Sequence, residues 1–165
     1  MKPCFHSNTI VATDRGPLRI SLIDEPMLVY SMDKYGRLCL RRATAAFQIK
    51  NAEIVIVRLS RGGCIMVAPD HKILAGRTTR GIHVHGEWIE AKSLKSGMHV
   101  VAMCEAYSER RVDLSLTSEF EQSDEIWVTK VEKSECVDGW GITVEDTHCL
   151  IAHGILAQDC ARTGL

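Results

Sequence analysis

The sequence predicts an all-β fold, and three features of the chain lead to this prediction. Short runs rich in valine, isoleucine and aromatic residues recur throughout, and such side chains pack well on a half-buried sheet. Turn-forming residues separate several of these runs. No window of helical length keeps the 3.6-residue apolar period that marks an amphipathic helix. Many short strands and little helix are therefore expected.

Seven runs are predicted as strands, and tight turns join four of them. DKYGR (33–37) connects the first two runs and SRGGC (60–64) the next two, because glycine readily adopts the positive φ of such turns. HKILAG (71–76) and EAKSLKSG (90–97) allow at most a turn or two of helix. The runs, in chain order, are PMLVYSM (26–32), GRLCLRRA (36–43), EIVIVRLS (53–60), CIMVAP (64–69), MHVVAM (98–103), EIWVTKVE (125–132) and GITVED (141–146).

Length and charge limit the functions to be considered. A chain of 165 residues suits one domain with a sizeable core. Its net charge of −1 gives no electrostatic reason to expect binding to nucleic acid or to a membrane surface. No apolar stretch approaches the roughly 20 residues of a membrane span, and the N-terminus lacks a signal-like region. We therefore expect a cytoplasmic monomer that binds neither nucleic acid nor membrane.

The cysteines and histidines do not form the spacings of a metal or disulfide site. Seven cysteines are scattered without a close-spaced pair, so most are expected to be small buried hydrophobes. His83 and His85 alternate along one predicted strand, but two imidazoles without an obvious third ligand make only a weak metal hypothesis. We expect no metal and no cofactor.

A faint internal repeat relates the two halves of the chain. LIDEPMLVYSM resembles LKSGMHVVAM, which pairs Met27 with Met98 at an offset of about 71 residues. Farther along, His71 falls nearly opposite His148. The repeat suggests two similar β-subdomains related by an approximate two-fold axis, which would bring the two ends of the chain near the centre.

Cys4 and His71 are the first candidates for chemistry. An isolated thiol is a poor nucleophile at its ordinary pKa of about 8.5 unless a base or positive environment raises its thiolate fraction. His71 is the nearest plausible partner by residue type. Taken alone, however, Cys4 fits an incidental cysteine and His71 a hydrogen-bonded turn residue, and both alternatives stay open at this point.

Four sequence blocks, in order, resemble those of inteins and of the wider Hedgehog/intein superfamily. The first begins at a cysteine and continues into an apolar strand, and the second places a histidine after a strand. The third carries a tryptophan, a leucine and a glycine turn, and the fourth leads to the C-terminal junction. The blocks are CFHSNTIVATDRGPLRISLID (4–24), GGCIMVAPDHKIL (62–74), GEWIEAKSLKSGMHVV (86–101) and GWGITVEDTHCLIAHGILAQDC (139–160).

This resemblance implies an all-β horseshoe, the Hedgehog/intein (Hint) fold, with pseudo-two-fold symmetry and both junctions in a central cleft. Residues 4–159 would form a mini-intein, with residues 1–3 and 160–165 as its N- and C-terminal flanks. The charged stretch 105–125 reads as a solvated surface loop. It occupies the place where larger inteins carry a homing endonuclease, and nothing in it resembles one.

The chemistry implied by the resemblance is intramolecular and has the flanks as its substrate. Cys4 attacks the carbonyl of Pro3 and converts the amide into a thioester. Cys160 then attacks that thioester and takes over the upstream flank. Asp159 cyclises and breaks its bond to Cys160, and an S-to-N shift joins Pro3 to Cys160. Holding two thiols and a scissile peptide in one cleft avoids the entropy of a bimolecular encounter.

The resemblance also suggests supporting residues. His71 would bind or protonate the departing amide nitrogen, a task that suits imidazole. His148 would assist the terminal cyclisation. Pro3, Asp70 and Gln158 are expected beside the two junctions as auxiliary residues, and proline at position 3 restricts the upstream backbone and slows the first shift.

Four positions depart from the intein pattern. Ala68 replaces the second-block threonine, whose hydroxyl normally helps to polarise the first scissile amide. Gly141 replaces an aspartate that normally connects the first two steps. Gln158 replaces the penultimate histidine and cannot deliver a proton at neutral pH. Asp159 replaces the terminal asparagine, so no side-chain nitrogen is available to form a succinimide. Its carboxyl oxygen can still attack through an anhydride-like intermediate, in a step expected to be slow and helped by mild acid.

Other functions stay open on the sequence alone. The chain can form the thioester and then only release its N-terminal flank to water or an external thiol. It can also be a Hint-fold binding module without activity. A Hedgehog-type domain that passes its thioester to a sterol leaves Cys160 without a purpose, and a cysteine hydrolase acting in trans lacks an evident substrate cleft. Redox gating between Cys4 and another cysteine is a further hypothesis that rests on the cysteine count.

Overall fold

The computed structural model describes residues 3–79, 83–102 and 126–160, with side chains for all of these except 77–79 and 83–85. These residues form fifteen strands and two three-residue 3₁₀-helices, at Ile20–Leu22 and Ala91–Ser93. The strands are β1 Phe5–His6, β2 Ile10–Thr13, β3 Gly16–Arg19, β4 Met27–Met32, β5 Leu38–Ala43, β6 Phe47–Ala52, β7 Val55–Leu59, β8 Cys64–Val67, β9 Lys72–Thr79, β10 His83–Glu90, β11 His99–Val100, β12 Ile126–Lys133, β13 Val137–Gly141, β14 Cys149–Ala152 and β15 Ile155–Gln158.

The strands pair in one antiparallel open sheet, so the predicted all-β fold class is confirmed. Their order is β5-β4-β2-β14-β15-β9-β11-β12-β7-β8-β1-β13-β6, and β3 and β10 pair with β2 and β9 outside this path. The first strand in the chain lies between β8 and β13, and the last lies between β14 and β9. The residues before β1 and after β15 therefore lie within the sheet rather than at its edge, which positions both candidate junctions.

The same succession of elements occurs twice, in agreement with the repeat predicted from the sequence. The hairpin β2–β3 leads into the 3₁₀-helix at Ile20 and then into β4. The hairpin β9–β10 leads into the 3₁₀-helix at Ala91 and then into β11. The two 3₁₀-helices begin 71 residues apart, which is the offset that pairs Met27 with Met98. Val29 in β4 and Val100 in β11 each pair with the first strand of the preceding hairpin.

The core is aliphatic and extends under most of the sheet. Strand β7 shows the alternation that builds it, because Val55, Val57 and Leu59 are buried while Arg58 is exposed. The strands β14 and β15 differ, since β14 is buried at every position and β15 at all but Gln158. Burial on both faces holds the C-terminal hairpin firmly in the centre of the molecule.

The observed strands match most of the predicted runs, with three differences. Of the described residues of MHVVAM (98–103), only His99 and Val100 form a strand, and Ala102 forms an isolated bridge with Ile155. HKILAG begins the long strand β9 and contains no helical turn. GITVED was predicted as a strand, but β13 ends at Gly141, and of the following residues only Val144 forms an isolated bridge, with Ala43. The predicted surface loop at 105–125 lies outside the described residues, and within the described part of the chain no helix is long and apolar enough to cross a membrane.

Candidate functional site

Cys4 lies at the start of the site, immediately before β1, with its side chain completely buried. Its carbonyl oxygen accepts a hydrogen bond from the Ala68 amide at 2.9 Å, and its side chain packs with Ala52 and Ile54. The pKa of the Cys4 thiol is raised to about 11, mainly by burial and in part by the negative charge of Asp70, while a hydrogen bond with the Ala68 backbone acts the other way. The resting thiol is therefore protonated at neutral pH.

His71 lies in the turn between β8 and β9, where its amide donates to the carbonyl oxygen of Ala68 at 3.0 Å. Its ring is fully buried, packs 4.3 Å from the ring of Phe5, and donates from Nε2 to the carbonyl oxygen of Gln158 at 2.6 Å. Burial lowers the pKa of His71 to about 4, and the backbones of Gln158 and Cys4 act in the opposite direction. Nδ1 is buried without a hydrogen-bond partner among the described residues. A neutral imidazole thus connects the two junctions.

Asp159 follows β15 and is held at three points. Its Oδ2 accepts a hydrogen bond from the Val144 amide at 2.7 Å, and Nδ1 of His148 lies 3.2 Å from the same oxygen. Its own amide donates to the carbonyl oxygen of His148 at 2.9 Å. Asp159 is buried, whereas the His148 side chain is 56 % exposed and its backbone has a positive φ of 51°. The carboxyl group is thus fixed in the protein, and its histidine partner is in contact with solvent.

Cys160 is buried next to these residues, and its amide donates to the carbonyl oxygen of Ile142 at 2.9 Å. Burial raises the pKa of its thiol well above the ordinary range. The negative charges that Cys4, Asp159 and Asp70 carry when ionised act in the same direction, whereas a hydrogen bond with the Ile142 backbone acts against it. Like Cys4, Cys160 rests as a protonated thiol.

Two glycines of β13 let the two cysteines approach the sheet. A Cβ atom added at Gly139 would lie 2.5 Å from Cys4 Sγ, and one added at Gly141 would lie 3.2 Å from Cys160 Cβ and collide with the ring of Phe47. Residues two apart on a strand face the same side. The two thiol-bearing residues therefore pack against alternate positions of one strand, in a space that no side chain can share.

The structure brings together most of the residues selected from the sequence. Cys4, His71, Asp159 and Cys160 are buried in one region, and His148 contacts Asp159 from its edge. The remaining predicted site residues are placed as follows: Pro3 precedes Cys4 and is partly buried, Asp70 precedes His71 and is partly buried, Gln158 contributes its backbone carbonyl, and the side chains of His83 and His85 lie outside the described part. Among the described residues, no three His, Cys, Asp or Glu side chains group as metal ligands.

Sequence reasoning missed the Val144 amide, the close contacts at Gly139 and Gly141, and the ring of Phe47. The glycines carried a signal, because alternate glycines inside a strand mark a close approach of another group. The other two carried none, since the amide donor belongs to the backbone and Phe47 reaches Gly141 only through the pairing of β6 with β13.

The arrangement supports acyl transfer between the two ends of the domain. It holds two thiols, a carboxyl group and two histidines around the peptide bonds that precede Cys4 and Cys160. Burial of these groups excludes water from the thiols, and the fixed geometry replaces the encounter of separate reactants.

No family model and no curated protein matches the chain. Solved structures do, over nearly the whole chain. A DnaB intein from Synechocystis sp. PCC 6803 is 12 % identical with a TM-score of 0.73, covering 95 % of this chain and 98 % of that one. A bacterial intein-like domain from Clostridium thermocellum is 14 % identical with a TM-score of 0.70, covering 96 % and 99 %. The gp41-1 intein is 18 % identical with a TM-score of 0.64, covering 96 % and 100 %. The chain therefore has the Hint fold of inteins, as its sequence blocks predicted.

Proposed function

We propose that residues 4–159 are a mini-intein that splices in cis, joining the flank 1–3 to the flank 160–165. The observation that carries this proposal is the convergence of Cys4 and Cys160 on alternate glycines of β13, with His71 between the junctions. A structural cysteine needs no partner from the opposite end of the domain. Two protonated thiols buried side by side, each next to a peptide bond, are what successive acyl transfers require.

The first step forms a thioester at the N-terminal junction. Cys4 Sγ loses its proton and attacks the carbonyl carbon of Pro3, and the bond from that carbon to the Cys4 nitrogen breaks as the nitrogen gains a proton. His71 supplies this proton, because its unpartnered Nδ1 is on the ring beside the Cys4 backbone. With a pKa of about 4 the ring must first be protonated from solvent or a neighbour, which makes the step slow at neutral pH.

The second step transfers the upstream flank to Cys160. The thiol of Cys160 attacks the thioester carbonyl, the new C–S bond forms, and the sulfur of Cys4 leaves and takes up a proton. No free acyl group crosses bulk solvent, since both cysteines are buried and pack against the same strand. Transthioesterification exchanges one thioester for another, so proximity rather than driving force limits it.

The third step breaks the bond between Asp159 and Cys160. A carboxyl oxygen of Asp159 attacks its own backbone carbonyl to give a five-membered anhydride, and the Cys160 nitrogen leaves as an amine after gaining a proton. His148 lies at the carboxyl group and is open to solvent, so it is placed to carry that proton. Water opens the anhydride, and the free amine then takes the acyl group from the Cys160 sulfur. Because a carboxylate is a weak nucleophile, this step is the slowest.

The second candidate is thioester formation that ends in release of the N-terminal flank alone. The identity of Asp159 favours it, since a slow third step leaves time for water or an external thiol to intercept the thioester. The two candidates share their first step and differ only in the fate of the acyl group.

Intact mass spectrometry of the chain with a different tag at each end distinguishes them. The time course is followed at pH 6 and pH 8, with and without dithiothreitol. Splicing gives a ligated product that carries both tags and a free chain of residues 4–159. Release of only the N-terminal tag, accelerated by thiol, supports the second candidate. Absence of both products, with a mass that stays constant, excludes both and leaves a Hint-fold module without activity.

A further inference from the structure

Both cysteines need a proton acceptor, and the steps proposed so far assign none to them. Cys4 and Cys160 rest as protonated thiols in a buried space. His71 is neutral and its Nδ1 is free to accept a proton, but its proposed task is to pass a proton to the departing nitrogen of the first junction, and its Nε2 already donates to the Gln158 carbonyl. Gly141 stands where inteins place an aspartate and offers no side chain. A different group must accept the thiol protons.

Asp70 is in position to do so. It lies in the turn between β8 and β9, next to His71 and two residues from Ala68, whose amide binds the Cys4 carbonyl. Its Oδ1 is buried and has no hydrogen-bond partner among the described residues. A buried carboxylate oxygen without a donor is costly and is retained where it has a task. A thiol S–H is a donor that would satisfy it.

The turn holds this carboxylate in place from both sides. The Pro69 carbonyl accepts a hydrogen bond from the Lys92 amide at 2.9 Å, and the His71 carbonyl accepts one from the Ala91 amide at 2.9 Å. Both donors belong to the 3₁₀-helix that follows β10. Within that segment Lys92 pairs with Glu90 at 3.3 Å. Asp70 is therefore fixed on rigid backbone rather than on a free loop.

The electrostatic influence of Asp70 reaches both nucleophiles. Its charge raises the pKa of the Cys4 thiol and also that of the Cys160 thiol, whereas Asp159 contributes at Cys160. Both buried thiols are therefore under the electrostatic influence of one carboxylate, in addition to the contact of its turn with the Cys4 backbone.

We infer that Asp70 is the proton acceptor shared by Cys4 and Cys160, directly or through one water molecule. This inference rests on the proposed function. The turn between β8 and β9 then contributes two residues to the reaction, His71 at the first junction and Asp70 at both thiols. Because Gly141 leaves β13 without a carboxylate at this position, Asp70 supplies one from the turn between β8 and β9.

The proton balance closes over both steps with one carboxylate. In the first step the Cys4 S–H bond breaks, its proton passes to Asp70, and the thiolate attacks the Pro3 carbonyl. Asp70 passes that proton to the neutral imidazole of His71, which gives it to the nitrogen as the amide bond breaks, so that both groups return to their starting protonation states. In the second step Asp70 takes the Cys160 proton and gives it to the departing Cys4 sulfur.

The test compares Asp70→Asn and Asp70→Glu in the doubly tagged chain, with Asp24→Asn, an exposed aspartate, as the matched control. The rate of dithiothreitol-induced release of the N-terminal tag is measured from pH 5.5 to 9.5, and thermal melting checks the fold. Asp70→Asn is expected to lower the rate at pH 7 by about 100-fold, within the usual range for general base catalysis. The loss is expected to shrink toward pH 9.5 as hydroxide replaces the carboxylate, and Asp70→Glu is expected to retain most of the rate.

Three results would contradict the inference. If the parent chain releases its tag but Asp70→Asn is equally fast or faster, the carboxylate only opposes thiolate formation. If Asp70→Asn is slower by the same factor at every pH and glutamate does not rescue it, the role is structural. If the parent chain shows no release that depends on both thiol and Cys4, the proposed function itself fails and the inference fails with it.

Discussion

The two junctions of the domain differ in how they meet solvent. At the N-terminal junction the thiol of Cys4 and the imidazole of His71 are both fully buried, and burial displaces the pKa of each toward its neutral form. At the C-terminal junction Asp159 is buried, but its partner His148 is 56 % exposed. In the proposed mechanism the first junction therefore relies on proton transfer between buried groups, whereas the second exchanges protons with water through His148.

The proposed mechanism thus divides its steps between a buried junction and a junction that contacts solvent. Where a thioester must survive, water has to be excluded, and the buried N-terminal junction does this. Where an amine must leave after protonation, contact with solvent is useful, and the C-terminal histidine has it. The following predictions change one junction at a time.

Loss of Cys4 is expected to have the largest effect, because it blocks both thioester formation and splicing. Loss of Cys160 is expected to block splicing alone. Cys4→Ala is expected to abolish thioester formation and splicing, because the residue that forms the first thioester with the Pro3 carbonyl is lost. Cys160→Ala is expected to stop splicing while leaving thiol-induced release of the N-terminal tag. Intact mass of the two variants checks this, with Cys136→Ala, an exposed cysteine, as the control that should behave like the parent. Continued thiol-dependent release in Cys4→Ala would assign the nucleophile elsewhere.

Burial of His71 should make the folded domain sensitive to acid. Its pKa of about 4 lies below the ordinary 6.5, so the unfolded chain binds a proton in this interval and the folded chain does not. The stabilisation that the neutral His71 ring contributes is fully present above pH 6.5 and is lost as the pH falls. At pH 4 the free energy of unfolding is expected to be lower by about 3 kcal/mol for this reason. Urea unfolding at several pH values measures it.

Two variants separate this effect from general destabilisation. His71→Gln is expected to flatten the dependence of unfolding free energy on pH. Phe5→Leu, which alters the ring that packs on His71, is expected to cost about 1 kcal/mol at every pH and to leave the dependence unchanged. An unchanged slope in His71→Gln would mean that the ring is not responsible for the acid sensitivity.

Strand β13 is expected to tolerate no side chain at Gly139 or Gly141, where Cys4 and Cys160 pack against it. Gly141→Ala is expected to lower the unfolding free energy by about 2 kcal/mol, because its Cβ would collide with the ring of Phe47 and crowd Cys160. Gly63→Ala, where added atoms meet open space, is expected to stay within about 0.5 kcal/mol of the parent. Equal stabilities of the two variants in thermal melting would show that the strand is not closely covered.

Replacing the carboxyl group of Asp159 by an amide is expected to accelerate cleavage at the C-terminal junction only. Asp159→Asn supplies a side-chain nitrogen that can cyclise to a succinimide, and its carbonyl oxygen can still accept the Val144 amide. Cleavage before Cys160 is expected to rise at least about tenfold, equivalent to about 1.4 kcal/mol of barrier, with the rate of thioester formation unchanged. Separate time courses for the two tags check this, and equal acceleration of both junctions would contradict the separation of their chemistry.

The fold was largely predictable because its determinants are local. Valine-rich runs and glycine turns specified β4, β5, β7, β8 and β12, and the offset of 71 residues anticipated the recurrence of the hairpin and 3₁₀-helix. The strand predicted at 141–146 was wrong after Gly141. There the Val144 amide binds the Asp159 carboxylate, so side-chain capture replaces strand pairing.

The site was predictable only in its residue types. The intein-like blocks selected Cys4, His71, His148, Asp159 and Cys160, but not their contacts. His71 donates a hydrogen bond to the Gln158 carbonyl, and Gly141 is closely surrounded by Phe47 and Cys160. Both features arise because strands far apart in sequence pair with each other. No local pattern encodes such contacts, and the same holds for the buried oxygen of Asp70.

The most direct test of the account is to trap the acyl group between the two cysteines. In Asp159→Ala, where cyclisation is impossible, the doubly tagged chain is incubated and digested, and the peptides that carry the N-terminal flank are identified. The account predicts a branched chain in which the flank is attached to the Cys160 sulfur, and dithiothreitol should release it. A flank found only on Cys4, or only free in solution, would contradict transfer between two thiols that share one strand.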